Sequence, residues 1–325
     1  MAAQNSGGSS VWDGRDCVAV GSNYYLYYST DYGASWSRFG TLTGVDHAHI
    51  ARSSDLDDSV GSSINYTTYT GYLCFTRIGR TSYLTQRYFP YTAAAVCGSG
   101  DGKLAFACIN QSIDNGVCLY KVSRPSDTQA GTLSLKQSFW TWDKAVSGRA
   151  ACSVDGQYIV FGGASSYTNA FQSTNYGENW SECLATQSFG NGVRDVDCTA
   201  QGDTFVATTP SGRPVSNNYL GSWYFDGTGT NFQGTSIAHS TGLGGKYEYY
   251  YQQSTTLYRS SNWQTPVTLN PPTTLTQIRS NARGDKLIGL GSNGLVYYSH
   301  DYGVSWAAST GLVGTITEIS MTKCI

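Results

Sequence analysis

Ser299-His300-Asp301-Tyr302-Gly303-Val304-Ser305-Trp306 decides how the chain is read, because nearly the same eight residues occur twice more. Ser29-Thr30-Asp31-Tyr32-Gly33-Ala34-Ser35-Trp36 lies near the start, and Ser173-Thr174-Asn175-Tyr176-Gly177-Glu178-Asn179-Trp180 lies in the middle. Each follows an aromatic or β-branched run, such as Gly294-Leu295-Val296-Tyr297-Tyr298. The side chains of Asp31, Asn175 and Asp301 can accept hydrogen bonds from nearby backbone N–H groups and close a tight turn. Gly33, Gly177 and Gly303 take the positive φ that other residues resist. Trp36, Trp180 and Trp306 then open the next strand and can pack back over the hairpin. The unit reads as a strand–turn–strand staple with a structural, not catalytic, carboxylate.

The pattern S-x-D-x-G-x-S-W resembles the Asp-box, the repeat of sialidases, sortilin-type receptors, xyloglucanases and a photosystem assembly factor. The resemblance implies a β-propeller, and fold alone does not fix function. Sialidases of this type use an arginine triad, a Tyr nucleophile with a Glu partner, and an Asp acid/base. Their F/Y-R-I-P motif lies before the first box. Nothing like it precedes Asp31, and the nearest echo, Phe75-Thr76-Arg77-Ile78-Gly79-Arg80, follows the first box and lacks the Pro. Arg52, Arg149, Arg194 and Arg279 fall on expected inner strands of separate blades, but no catalytic residue is carried over from that family.

Repeats set the domain organisation. A turn followed by an apolar strand precedes each box, as in Val154-Asp155-Gly156-Gln157-Tyr158-Ile159-Val160-Phe161, and seven such markers can be read along the chain. From Asp31 to Asp301 is 270 residues, or six steps of 45. A step of roughly 40–50 residues suits one four-stranded propeller blade. Before each marker lies an inner strand centred on an aliphatic residue: Ile50, Val96, Ala150, Val196, Ile237, Ile278 or Ile319. One residue earlier stand His49, Ala95, Arg149, Asp195, Ser236, Gln277 and Glu318, six of them polar. That alternation predicts a polar ring facing or flanking a central channel. The expected fold is an all-β, seven-bladed β-propeller. Residues 1–10 form a flexible polar tail and 11–325 a single domain, with one blade closed by both termini.

Composition narrows the function classes. Charged residues make up 13% of the chain, aromatics 14%, and Tyr alone numbers 25. A net charge of −2 gives no electrostatic reason to expect a nucleic-acid partner. No apolar run reaches the about 18 residues of a membrane span, and the N-terminal tail does not read as a signal peptide. Nine cysteines include no C-x-x-C pair, so neither a metal site nor a cofactor is expected. Cys97, Cys152 and Cys198 recur at similar repeat positions, and Cys17 and Cys324 are expected on strands of one blade, where they could be neighbours and form the one candidate disulfide.

The candidate sites follow from this frame. His47 and His49 with Asp46 could bind a metal but read better as a polar strand start. Asp195 and Asp197 share one face of an inner strand. With Asp46 across the ring they could supply the carboxylate pair of a glycosidase. They read better as solvated strand-entry charge paired with Arg194 or Arg279. Trp140 and Trp142 are expected in a loop, where exposed rings can stack on sugars or anchor a protein. The Tyr-rich runs Tyr24–Tyr28 and Tyr247–Tyr251 cannot bury every ring if alternate residues face opposite sides, and most of them read as strand residues packing between blades. The favoured reading is a non-enzymatic propeller that binds a glycan or protein surface. Its expected ligand-binding residues are Trp140, Trp142, His49, Arg149, Arg194, Gln277 and Glu318. A virion or phage surface, or another extracellular setting, fits the composition, with the cytoplasm as the alternative. A glycoside hydrolase and a scaffold in a larger assembly are the competing classes.

Overall fold

In the computed structural model, residues 14–23, 25–41, 49–52, 64–69, 72–77, 85–88, 93–100, 103–111, 116–123, 132–139, 146–163, 170–183, 192–228, 231–240, 246–321 and 323 are described. Every regular element among them is a strand. Sheet 1 holds β1 (Cys17–Gly21), β2 (Tyr25–Ser29) and β3 (Ser37–Thr41). Sheet 2 holds β4 (His49–Arg52), β5 (Ile64–Tyr69), β6 (Tyr72–Arg77) and β7 (Thr85–Tyr88). Sheet 3 holds β8 (Ala93–Gly98), β9 (Leu104–Gln111), β10 (Gly116–Ser123) and β11 (Thr132–Phe139). Sheet 4 holds β12 (Val146–Cys152), β13 (Ile159–Gly163), β14 (Phe171–Ser173) and β15 (Ser181–Glu182). Sheet 5 holds β16 (Asp195–Cys198), β17 (Phe205–Thr208), β18 (Gly212–Ser216) and β19 (Tyr224–Thr228). Sheet 6 holds β20 (Phe232–Ser240), β21 (Lys246–Gln253), β22 (Thr256–Ser261) and β23 (Val267–Leu269). Sheet 7 holds β24 (Leu275–Ser280), β25 (Leu287–Gly291), β26 (Val296–Ser299) and β27 (Ala307–Ala308). The last strand, β28 (Ile316–Met321), returns to pair antiparallel with β1, setting Ala19 opposite Ile319.

Sheet 2 is described by its backbone pairing alone, and the other six also by their side chains. Within every sheet the strands pair antiparallel with their chain neighbours, which is an up-and-down meander. Neighbouring inner strands touch in the circular order β28, β4, β8, β12, β16, β20, β24 and back to β28. This is the arrangement of a β-propeller.

The core is distributed between sheets. Phe106 and Cys108 of sheet 3 pack with Phe161, Phe171 and Trp180 of sheet 4. Tyr27 and Trp36 of sheet 1 pack with Ile288 and Leu290 of sheet 7. The central aliphatics Val96, Val196, Ile237, Ile278 and Ile319 are all buried in these layers. Most of the second tyrosine run packs between blades, as expected, and on both faces of its strand. Tyr249, Tyr250 and Tyr251 are only 1%, 0% and 4% exposed. Tyr250 packs on Leu275, Ile278 and Leu287 of sheet 7, while Tyr249 and Tyr251 pack on Val206 and Val215 of sheet 5. A strand inside a covered sheet has no wet side, so period-two alternation does not sort its rings into dry and wet.

Each Asp-box is a closed local network. In the first, Gly33 N donates to Ser29 Oγ at 3.0 Å, Ser35 N donates to Asp31 Oδ1 at 2.9 Å, and Trp36 Nε1 donates to the Gly33 carbonyl at 2.9 Å. Asn175 and Asp301 repeat it, with Trp180 Nε1 to Gly177 O at 3.0 Å and Trp306 Nε1 to Gly303 O at 2.8 Å. Two successive residues are left-handed, Tyr32 at φ 60° and Gly33 at φ 82°, and the Tyr176–Gly177 and Tyr302–Gly303 pairs match them. Ser216–Trp223 keeps the same hairpin, since Ser222 N donates to Asn218 Oδ1 at 2.9 Å, although Leu220 occupies the glycine position at φ 64°. The box also reaches the preceding sheet. Trp36 N donates to Thr310 O at 2.9 Å, and Trp180 N donates to Gln137 Oε1 at 3.0 Å. The Asp-box is thus a turn and an inter-sheet clamp.

Cys17 faces Met321 across the β1–β28 pair, and its Sγ–H donates to the Gly14 carbonyl at 3.5 Å. Its expected partner Cys324 lies outside the described residues.

Candidate functional site: the axial channel

The inner strands bring the expected polar ring to the axis, where neighbouring backbones come close and must satisfy one another's N–H and C=O groups. Asp195 is fully buried on β16. Its Oδ1 accepts Arg279 Nη2 at 3.0 Å and Val196 N at 3.1 Å. Its Oδ2 accepts Arg279 Nη1 at 3.0 Å and Thr235 N at 3.0 Å. Four donors fill the acceptor capacity of a carboxylate. Burial would lower the Arg279 pKa, but the Asp195 carboxylate against it pushes it above the ordinary value.

Asp197 lies two residues on along the same face. Its Oδ2 accepts Ser236 Oγ at 2.5 Å, Ile237 N at 3.1 Å and Lys323 Nζ at 2.6 Å. Lys323 follows β28 of sheet 1, yet its ammonium also donates to Cys198 O at 2.7 Å in sheet 5 and Ile237 O at 2.8 Å in sheet 6. It therefore crosses the axis. Gln277 is fully buried on β24, accepting Ile319 N at 3.1 Å and donating to Thr317 O at 3.4 Å. Arg149 Nε donates to the Arg194 carbonyl at 2.9 Å, and the Arg194 side chain is exposed.

Most of the described ring therefore binds one sheet to the next. The cavity on the axis is lined by Cys97, Cys152, Cys198, Asp197, Glu318 and Lys323, among others, with a volume of about 100 Å³. Small-molecule pockets usually enclose about 300–1,000 Å³. Among the described residues, no group of three His, Cys, Asp or Glu side chains is placed to hold a metal ion. Asp46, Trp140 and Trp142 lie outside the described residues, and His49 is placed only as the first residue of β4.

Of the ring's partners, Arg279 was among those the sequence offered for these carboxylates, although it lies 84 residues from Asp195; Lys323, 126 residues from Asp197, was not. Alternation gives the face of a side chain but not which inner strand lies opposite. The position of Lys323 just after the last inner strand was the one signal that it could reach the channel.

Comparison with known proteins agrees with this geometry. The family model of the BNR/Asp-box repeat matches residues 27–38, which span the first box. The protein is a β-propeller built with Asp-box repeats. A crystal structure of a functionally unknown protein from Desulfotomaculum acetoxidans DSM 771 is similar to this propeller, with a TM-score of 0.66 at 13% identity, over 93% of this chain and 98% of that one. At that identity the likeness speaks for the fold. No curated protein matches the sequence.

Proposed function

We propose that this propeller is a non-catalytic binding module that presents its loops and rim to a glycan or a protein surface. The observation that carries this reading is the commitment of Asp195. All four of its hydrogen bonds are internal, so it has no free lone pair with which to attack a sugar or take a proton from water. Asp197, held by Ser236, Ile237 and Lys323, fits the same reading. A glycoside hydrolase needs two carboxyl groups about 5–9.5 Å apart with a substrate between them, and these two are built into the scaffold. The small axial cavity favours recognition on the outside of the disc. We further infer a ring of seven blades, counting sheet 2, and a setting on a virion or other extracellular surface, where a rigid disc of low charge serves attachment.

A glycan-array screen of the purified protein, with released sugar measured in the same wells, tests the proposal. Binding without turnover is the expected result. Trp140→Ala and Trp142→Ala should then weaken binding at least tenfold without lowering the melting temperature. Turnover would overturn the proposal and direct attention to Asp46.

A further inference from the structure

Four box turns hold a tyrosine at the same corner. Tyr32, Tyr176, Tyr219 and Tyr302 have φ at 60°, 58°, 56° and 60°, a left-handed conformation in which a bulky residue is an outlier and asparagine is common. The backbone N–H of each donates to a carbonyl in the neighbouring turn of its own sheet, at Arg15, Gln157, Asp203 and Asp285, over 3.0, 3.1, 3.2 and 3.2 Å. Those bonds set the two turns of each sheet side by side on one face of the disc. Two of the rings are covered there. Tyr32 meets His300 edge-on at 5.5 Å with Lys286 Nζ 5.8 Å from its centroid, and the Arg259 guanidinium lies 4.5 Å over Tyr302. The other two are open, Tyr176 at 42% and Tyr219 at 49% exposure. Among the described residues neither hydroxyl has a hydrogen-bond partner, and the Tyr176 ring meets no other ring. Tyr219 leans on Tyr158 of sheet 4, with centroids 5.2 Å apart and planes at 43°. Tyr158 directly follows Gln157, whose carbonyl holds Tyr176. Three tyrosines of two neighbouring sheets therefore rise from adjoining turns. The frame beneath them is fixed, because Gln172 of sheet 4 donates to Leu220 O and accepts Trp223 Nε1, both at 3.0 Å.

We propose that Tyr158, Tyr176 and Tyr219 form a stacking site for a neutral oligosaccharide, at the joint of sheets 4 and 5 on the box-turn face. The inference rests on the reading of this propeller as a binding module, and it gives the ligand a class and a place. The local chemistry selects that class. The turns around the joint, residues 153–158, 173–180, 199–204 and 216–223, contain no Lys, Arg or His. They do contain Asp155, Glu178 and Asp203, and Glu178 is already met by Lys121 and Lys136, each at 2.7 Å. An anionic ligand finds like charge here and no cation to answer it. The remaining polar groups of the two boxes are amides and hydroxyls, with Asn217, Asn218 and Ser222 exposed. Tyrosine offers rigid amphipathic area at low entropic cost, while asparagine and serine offer adaptable hydrogen bonds. A neutral pyranose matches both, laying its C–H face on a ring and turning its hydroxyls to the amides. A turn that needs only a left-handed residue is served by asparagine or glycine, so the tyrosines are retained against backbone strain.

The test measures binding to immobilised neutral hexose and N-acetylhexosamine oligomers, beside sialylated and sulfated counterparts, by the unaltered protein and by Tyr176→Asn combined with Tyr219→Asn. Asparagine accepts left-handed backbone, so the variant loses two rings, keeps its turns and melts no lower than the unaltered protein. The expected result is binding to a neutral oligomer that falls about tenfold in the variant, survives in Tyr219→Phe, and is unchanged in Tyr32→Asn, whose ring lies at another joint. A lower melting temperature with unchanged binding would make the rings structural and overturn the proposal. Preference for the sialylated or sulfated sugars would overturn it too, as would no binding to any sugar. Binding that persists in the variant but is lost in Trp140→Ala would move the site elsewhere and leave the binding-module reading standing. Release of free sugar by the unaltered protein would overturn that reading and this inference with it. If the paired variant does not fold, Tyr176→Asn alone, whose ring has no ring contact to lose, decides in the same way.

Discussion

Arg279 of sheet 7 grips Asp195 of sheet 5 with both arms of its guanidinium, at 3.0 Å and 3.0 Å, across the intervening strand of sheet 6. The carboxylate is fully buried and also takes the Thr235 N–H of that middle strand. One ion pair thus ties three sheets. Removing one partner of such a pair leaves an uncompensated buried charge, which costs about 3–5 kcal/mol. Arg279→Ala should lower unfolding stability by that amount, read as a fall in the urea midpoint. Asp195→Leu combined with Arg279→Met should recover more than half of the loss. An unchanged midpoint for Arg279→Ala would show that the pair does not hold the ring.

How much of this was legible depends on sequence distance. The boxes at Asp31, Asn175 and Asp301 could be read from eight residues each, because all their partners lie within the turn. The inner strands at Val196, Ile237 and Ile319 could be read from alternation around an aliphatic centre. The ring was located correctly and the pairing of its carboxylates with Arg279 was among the roles read, but its other contacts were not, because the partners of Asp195, Asp197 and Gln277 on other sheets are 39 or more residues away. That Tyr249, Tyr250 and Tyr251 pack between blades was legible, but that all three are buried at once was not. A single strand does not announce that both faces of its sheet will be covered.

Gly33 should tolerate a side chain less well than Gly303. Both are left-handed, at φ 82° and 79°. A Cβ on Gly33 would stand 2.3 Å from the Cγ2 of Ile288, which is β-branched and fixed in the layer between sheets 1 and 7. A Cβ on Gly303 would meet Leu269 Cδ1 at 2.9 Å, the far end of a more yielding side chain. The backbone strain is shared, so overpacking of about 1–3 kcal/mol separates the two. Thermal melts of Gly33→Ala and Gly303→Ala should rank in that order, and the reverse order would mean that strain rather than packing sets the cost.

The box carboxylates should make the fold acid-sensitive. Burial alone would raise the pKa of Asp301, but hydrogen bonds from the Ser305 hydroxyl and N–H and from Ser299 overcome it and hold the carboxyl below its ordinary value. Asp31 behaves alike through Ser35 and Ser29. A folded-state pKa below the unfolded value of about 3.9 contributes stability that is present above that value and is lost as pH falls through the lowered one. Asn175 does the same geometric task without a charge, accepting Asn179 N at 2.9 Å. Asp301→Asn should therefore keep the fold at neutral pH and flatten the decline in melting temperature between about pH 4 and pH 2. Equal acid slopes for the variant and the unaltered protein would remove Asp301 from the account.

Lys323 should matter more than its place near the chain end suggests. Its three donors go to Asp197 Oδ2 at 2.6 Å, Cys198 O at 2.7 Å and Ile237 O at 2.8 Å, so the end of sheet 1 is moored to sheets 5 and 6 across the axis. The ammonium and its carboxylate partner are only 11% and 10% exposed. Lys323→Ala should cost about 3 kcal/mol, since it leaves Asp197 buried without its cation and removes a donor from two carbonyls. Asp197→Asn in the same background should restore part of the loss, because the orphaned charge is then gone. Screening separates this contact from a surface pair: the difference between Lys323→Ala and the unaltered protein should persist in 1 M salt, where the Debye length is about 3 Å and exposed pairs are quenched. A difference that vanishes in salt would place the Lys323 ammonium in solvent and remove this mooring of sheet 1 to sheets 5 and 6.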